Sequence, residues 1–214
     1  MNAQTERLTL SGAAGAIEAV RDAAQGEGAP RGVAIIAHPH PLFGGTMDNK
    51  VVQTLARACV ACGYTAVRFN FRGVGASAGV HDEGRGELDD LLAVVQQVAP
   101  AGPDASPIVL AGFSFGAFVT SHAVQALWAE RQVDRVVLVG TAASRFTVAP
   151  IPPEAHQQTL VVHGEEDDTV PLAAVMDWAR PQILPVTVIP AGGHFFHGQL
   201  PLLKNLVVRH LMTA

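Results

Sequence analysis

One alternation constrains this chain more than any other feature. Short runs rich in Val, Ile and Leu lie at Gly32 to His38, Tyr64 to Phe71, Ser106 to Phe113, Asp134 to Gly140, Thr159 to Gly164 and Pro185 to Pro190. Longer segments with helical patterning separate them: Asn49 to Cys62, Glu83 to Val98, Phe115 to Glu130, Leu172 to Arg180 and Gln199 to Met212. Several short runs are apolar almost throughout, as strands must be when both faces are covered. Strand, helix and strand in succession require a crossover, and right-handed crossovers build a parallel sheet with helices on its faces. Ahead of the first run, RLTL and AIEAV flank Gly12 to Gly15, a pattern for an antiparallel hairpin at one edge. The 214 residues suffice for one sizeable domain, taken as 1–214, and fall short of two.

Composition narrows the function. Hydrophobic residues make up 49% and charged residues 15%, which describes a globular chain with a large core. With a formal net charge of -5, nothing argues for a nucleic-acid partner or an anionic membrane surface, and neither is expected. No stretch is long and apolar enough to span a bilayer, and MNAQTERLTL lacks the basic start and apolar run of a signal peptide. The expectation is a cytoplasmic protein without membrane insertion. Cys59 and Cys62 are spaced as C-x-x-C, which invites a redox or zinc reading. They sit near the C-terminal end of an expected helix, where the dipole disfavours a thiolate, and no second pair exists for zinc. Core packing is expected of both.

The chemistry starts at GFSFG, Gly112 to Gly116. The pattern G-x-S-x-G alone is weak, and context gives it weight. An expected strand ends at Ser114 and an expected helix begins just after it. Such a turn forces the serine into a strained conformation with its hydroxyl exposed. Side chains two residues to either side would collide there, so Gly112 and Gly116 suit the geometry. The helix N-terminus adds a field that favours a developing oxyanion. A serine hydroxyl needs a base to take its proton. In a strand-turn-helix setting the partners follow in the order acid, then His, after later strands. TLVVHG is followed by EEDDTVP, an acidic loop before a helix that Pro171 opens, and PVTVIP is followed by AGGHFFH, with His194 just past the strand. Parallel strands bring their C-terminal ends to one edge, where such residues can meet.

With these motifs the chain resembles the α/β-hydrolase superfamily, and within it the small lidless bacterial hydrolases that carry HPHPLFGGTMDN after the first central strand and RFNFRGVGASAG after the next. The resemblance covers nearly the whole chain. It implies an α/β-hydrolase fold with a mostly parallel sheet of eight strands or slightly fewer, flanked by helices. It also implies carboxylesterase-like activity on a small-molecule ester, with no cofactor and no metal. The family's catalytic acid falls on Asp167 and its histidine on His194. Asp168 is the alternative acid, with helix capping as its own expected job. His163 and His197 are expected as loop-packing or surface residues. Fewer than twenty residues separate Asp134–Gly140 from Thr159–Gly164, too few for a cap domain.

The expected roles follow. Ser114 attacks, His194 moves the proton, and Asp167 holds the imidazole and stabilises its charge. Two backbone N–H groups should form the oxyanion hole. One is Phe115, directly after the nucleophile. Pro39 and Pro41 have no N–H, which leaves His40 as the nearest second donor and Leu42 as the reserve. Thioesters, lactones and amides suit the same machinery. Three other readings compete. The histidine pairs 38/40 and 194/197 have short spacings that suit a metal, but they leave the serine turn unused. Gly73, Gly75 and Ala78 fit a loose dinucleotide fingerprint, but a turn-rich stretch follows where a helix should begin. A non-catalytic binding protein on the same fold is the reading from a different class. Phe43, Phe113, Phe115, Phe195 and Phe196 are candidates for an acyl pocket or for ordinary core.

Overall fold

The computed structural model describes residues 5–103, 105–130 and 133–213. Met1 to Gln4, the start of the segment read above as lacking a leader, lie outside the described residues. The strands are β1 (Thr5–Gly12), β2 (Gly15–Asp22), β3 (Gly32–Ala37), β4 (Tyr64–Phe69), β5 (Ile108–Phe113), β6 (Val133–Val139), β7 (Thr159–Gly164) and β8 (Val186–Ile189). The helices are α1 (Lys50–Ala61), α2 (Arg85–Val98), α3 (Phe115–Leu127), α4 (Leu172–Ala179) and α5 (Leu200–Met212). They build an eight-stranded sheet in the order β1-β2-β4-β3-β5-β6-β7-β8. β3 to β8 run parallel, and the β1–β2 hairpin joins β4 antiparallel.

The apolar runs are explained by two cores. Along β5, Ile108 and Leu110 face one layer, while Val109, Ala111 and Phe113 face the other. The first layer holds Leu91 and Val94 of α2, Val124 of α3 and Val175 of α4. The second holds Val52 and Leu55 of α1 with Leu203 and Val207 of α5. A strand covered on both sides has no solvent face to make polar. Both cysteines are buried in the second core as free thiols, and burial pushes Cys59 up to about 12.

Element ends differ from expectation where the local chemistry changes. β5 starts at Ile108 rather than Ser106, since Pro107 has no N–H to donate and its carbonyl accepts from Val33. α4 stops at Ala179, and Pro181 follows within a short 3-10 turn at Arg180–Gln182. β4 stops at Phe69, where the Asn70 side chain turns to bind both Glu18 and the Met47 N–H.

What positions the site is the order of the strands. From β3 the chain crosses to β4 on one side, and from β4 it crosses back over β3 to β5 on the other. The connections after β3 and β5 therefore leave in opposite directions and open a crevice at the C-terminal edge. Between β6 and β7, residues 140–158 form turns and a 3-10 segment at Pro153–Gln158, and no cap stands there. Among the described residues no helix is long and apolar enough to cross a membrane.

Candidate active site

Ser114 sits between β5 and α3 with φ 57 and ψ -115, a conformation rare for a residue with a side chain. Its N–H donates to Val139 of β6 at 2.8 Å, and its carbonyl accepts from Ala117 and Phe118 in the first turn of α3. The flanking glycines permit this. A Cβ on Gly116 would lie 2.4 Å from the Ala37 carbonyl oxygen and 2.6 Å from that of His38. A Cβ on Gly112 would lie 2.4 Å from the carbonyl oxygen of Gly116. The start of α3 thus nests directly against the end of β3.

The loops after β7 and β8 are joined to each other. The N–H groups of Glu165 and Glu166 donate to Ile189 and Gly192, at 3.0 and 2.9 Å. Glu165 Oε2 accepts from the Ala191 N–H at 3.0 Å. Gly164 lets them touch, since a Cβ there would lie 2.2 Å from the Gly192 carbonyl oxygen. This juncture brings Asp167 to His194, Oδ2 to Nδ1 at 2.7 Å, while His194 Nε2 lies 3.0 Å from Ser114 Oγ. All three residues are buried. A carboxylate only accepts, so Nδ1–H donates to Asp167 and the Nε2 lone pair faces the serine hydroxyl. The other Asp167 oxygen accepts the N–H groups of Thr169 and Val170, at 3.0 and 2.7 Å. Burial opposes the Asp167 charge, but the His194 and Val170 hydrogen bonds outweigh it and hold the carboxyl below its usual range.

The alternative residues fall elsewhere. Asp168 is exposed, and it caps no helix: α4 begins after Pro171 with no side-chain cap, so the capping job expected of Asp168 is not what it does. Its contact is the Thr169 hydroxyl at 3.3 Å. His197 is exposed. His163 is buried, and its Nε2–H donates to the Val170 carbonyl at 2.8 Å, bracing the loop that carries Asp167.

The turn after β3 leaves the His40 N–H free while its near neighbours are committed. The N–H groups of Phe43 and Gly45 donate to the His40 carbonyl, and that of Leu42 donates to His40 Nδ1 at 3.2 Å. Among the described residues, no acceptor lies on the N–H of His40 or of Phe115. His40 and Phe115 line a pocket of roughly 540 Å³ that also exposes Ser114 and His194. The reserve donor Leu42 is committed to its neighbour's ring and points to solvent.

Some residues that hold this turn were not foreseen. His38 is buried, with Nδ1–H donating to Pro39 O at 2.6 Å and Nε2 accepting from the Phe71 N–H at 3.0 Å. Both nitrogens are engaged, and burial drives its pKa down to about 4, so the neutral ring is a brace with no lone pair free for a metal. Arg68 binds the Met47 carbonyl and Asp48, and Asn70 binds the Met47 N–H. The signal was present in RFNFRG, where polar residues alternate with Phe69 and Phe71, both of which face the core. The glycine-rich segment that follows is a turn, and α2 begins only at Arg85. Phe43, Phe115 and Phe195 line the pocket, whereas Phe113 and Phe196 are core. Phe146, from the connection after β6, also lines it and was missed.

A mostly parallel sheet, a serine on a strained strand-to-helix turn and an open C-terminal edge define the lidless α/β-hydrolases. The chain belongs to the serine hydrolase family described as Hydrolase_4, serine aminopeptidase S33, whose profile matches residues 28–157. That match contains Ser114 and ends before Asp167. Whole-chain similarity extends further. A crystal structure of XC6422 from Xanthomonas campestris, described as an α/β serine hydrolase without lid, is 35% identical with a TM-score of 0.85, covering 99% of this chain and 95% of that one. An α/β serine hydrolase homologue from Coxiella burnetii is 37% identical with a TM-score of 0.79, covering 96% and 97%. A Rickettsia prowazekii protein, RP471, is 40% identical over 118 residues, 55% of this chain. The match spans about half the length of that relative, 49%.

Proposed function

We propose that the protein hydrolyses carboxylic esters of small or accessible substrates through an acyl-enzyme. The observation that carries this reading is the unbroken line from Ser114 Oγ to His194 at 3.0 Å and from His194 to Asp167 at 2.7 Å. In the first half, His194 Nε2 takes the hydroxyl proton as Oγ attacks the ester carbonyl. The oxyanion is received by the N–H groups of Phe115 and His40. Collapse breaks the bond to the alcohol, which leaves with the proton from Nε2. In the second half, water attacks the acyl carbonyl while His194 takes its proton, and Ser114 departs with that proton returned. Asp167 fixes the tautomer and stabilises the imidazolium without taking its proton.

Esters are favoured over peptides by the pocket itself. Among the described residues no Asp or Glu lines it, so no carboxylate there pairs with the free ammonium of a peptide N-terminus. The uncapped edge supports accessible substrates rather than enclosed long chains. Thioesters and lactones are served by the same groups.

The test is an ester, thioester and amide panel on purified wild type and Ser114→Ala. Ester turnover should fall by about a million-fold in the variant. Retention of most esterase activity by a folded Ser114→Ala protein would defeat the assignment. Inertness of the wild type towards every ester, together with no labelling by a fluorophosphonate, would favour a binding protein.

A further inference from the structure

The pocket in front of Ser114 carries an unpaired positive charge. Its apolar walls are Phe43, Phe115, Phe146 and Phe195, and Arg145 lines it with them. The guanidinium has no carboxylate partner among the described residues, and its contact is the face of Phe43, 5.8 Å to the ring centroid. Six other arginines are paired with carboxylates: Arg21 with Glu6, Arg68 with Asp22, Arg72 with Asp90, Arg85 with Asp82, Arg135 with Asp134 and Arg180 with Asp177. Arg7, Arg31, Arg57 and Arg209 form no ion pair among the described residues either, but none of them lines this pocket. The chain has acid in surplus, 19 Asp and Glu against 14 Lys and Arg. A cation left alone at the mouth of a cleft in such a protein is placed for a ligand's charge.

The backbone ties it to the chemistry. Ala142 N–H donates to the Ser114 carbonyl at 3.4 Å. The N–H groups of Arg145 and Phe146 donate to the Ala142 carbonyl, at 3.2 and 3.1 Å. The Phe146 ring stacks on Phe118 of α3, with centroids 4.7 Å apart and planes at 15°. The turn that presents Arg145 is therefore anchored at the nucleophile and packed on the helix behind it.

We infer that Arg145 selects esters bearing an anionic group on an apolar or aromatic spacer, an inference that rests on the ester-hydrolase reading above. The spacer lies against the phenylalanines, and the anion takes paired N–H bonds from the guanidinium. The anion belongs to either the acyl or the alcohol half, since the recognising chemistry is the same.

Matched substrates test it at low ionic strength. In the acyl arm, the para-nitrophenyl half-ester of adipic acid is compared with para-nitrophenyl hexanoate. In the alcohol arm, para-acetoxybenzoate is compared with para-acetoxybenzamide. In at least one arm wild type should prefer the anion by about fivefold in kcat/KM, mainly through KM, the size of an exposed charge pair. Arg145→Gln should bring that ratio to about one, and Arg145→Lys should restore part of it. Arg180→Gln, which makes the same change in net charge far from the pocket, should keep the wild-type ratio. A wild-type ratio at or below one in both arms, or an anion preference that survives in Arg145→Gln, overturns the inference. If neutral esters are turned over without any preference, the hydrolase reading stands and this one falls. If no ester is turned over, both fall.

Discussion

His40 is held at φ -53 and ψ 123, values that proline also adopts. His40→Pro therefore deletes the N–H without forcing the backbone elsewhere, and His40→Ala deletes the ring while keeping the N–H. Ester kinetics should show kcat lowered by about a hundred- to a thousandfold in the proline variant, and by no more than about tenfold in the alanine variant. Equal losses in the two would assign the effect to the imidazole. Asp167→Asn makes the complementary test. An amide in place of the carboxylate accepts less well and favours the wrong imidazole tautomer, so kcat should fall by about ten-thousandfold with the fold intact. A loss of less than about tenfold, with near-wild-type circular dichroism, would move the acid to another residue. At this scale much was readable, because serine, acid and histidine each follow a strand that its own apolar run announces. The donor pattern was less so: that Leu42 is committed to the His40 ring depends on a turn geometry that residue types do not specify.

At the scale of elements, the site depends on α3 approaching β3 with no side chain between them. Gly116→Ala places a Cβ inside contact distance of two carbonyl oxygens that belong to backbone and have nowhere to move. Destabilisation by about 1–3 kcal/mol is expected, with turnover lost beyond what stability explains, because Ser114 shifts with the helix. Urea unfolding and ester kinetics on the same preparation measure both. A variant with wild-type stability and rate would show that the close approach is dispensable. The Gly pair was legible because strand and helix patterns meet at Ser114. The supporting braces were not recognised as such: His38 looked like a metal candidate, and its partner Phe71 is 33 positions away along the chain. Phe146 was overlooked for a related reason. It lies in an irregular connection with no periodicity, and only packing on Phe118 reveals its face.

For the whole molecule, the alternation of apolar runs and helices sufficed for a parallel sheet, but strand order is a long-range property. The reversal between β3 and β5 that opens the crevice depends on which side each crossover takes, and no local pattern records it. Stability carries its own prediction. His38 is neutral when folded, with a pKa near 4, against 6.5 for the free side chain. Below about pH 6.5 the unfolded chain binds a proton that the folded protein refuses, so stability falls with pH until the folded pKa is reached. Through this residue alone, about 3 kcal/mol should be lost between neutral pH and pH 4. The buried His163 and the half-buried His210, also shifted downward by burial, add in the same direction. Urea midpoints across that range measure it, and a flat profile would contradict the burial assigned to His38.

The proposed mechanism requires the Ser114 hydroxyl to be the group that becomes acylated. Labelling the purified protein with a fluorophosphonate and mapping the adduct by peptide mass tests it most directly. One adduct per chain is expected, on Ser114, that is lost in Ser114→Ala and strongly slowed when His194 is replaced. An adduct on any other residue, or undiminished labelling of the Ser114→Ala protein, would contradict it.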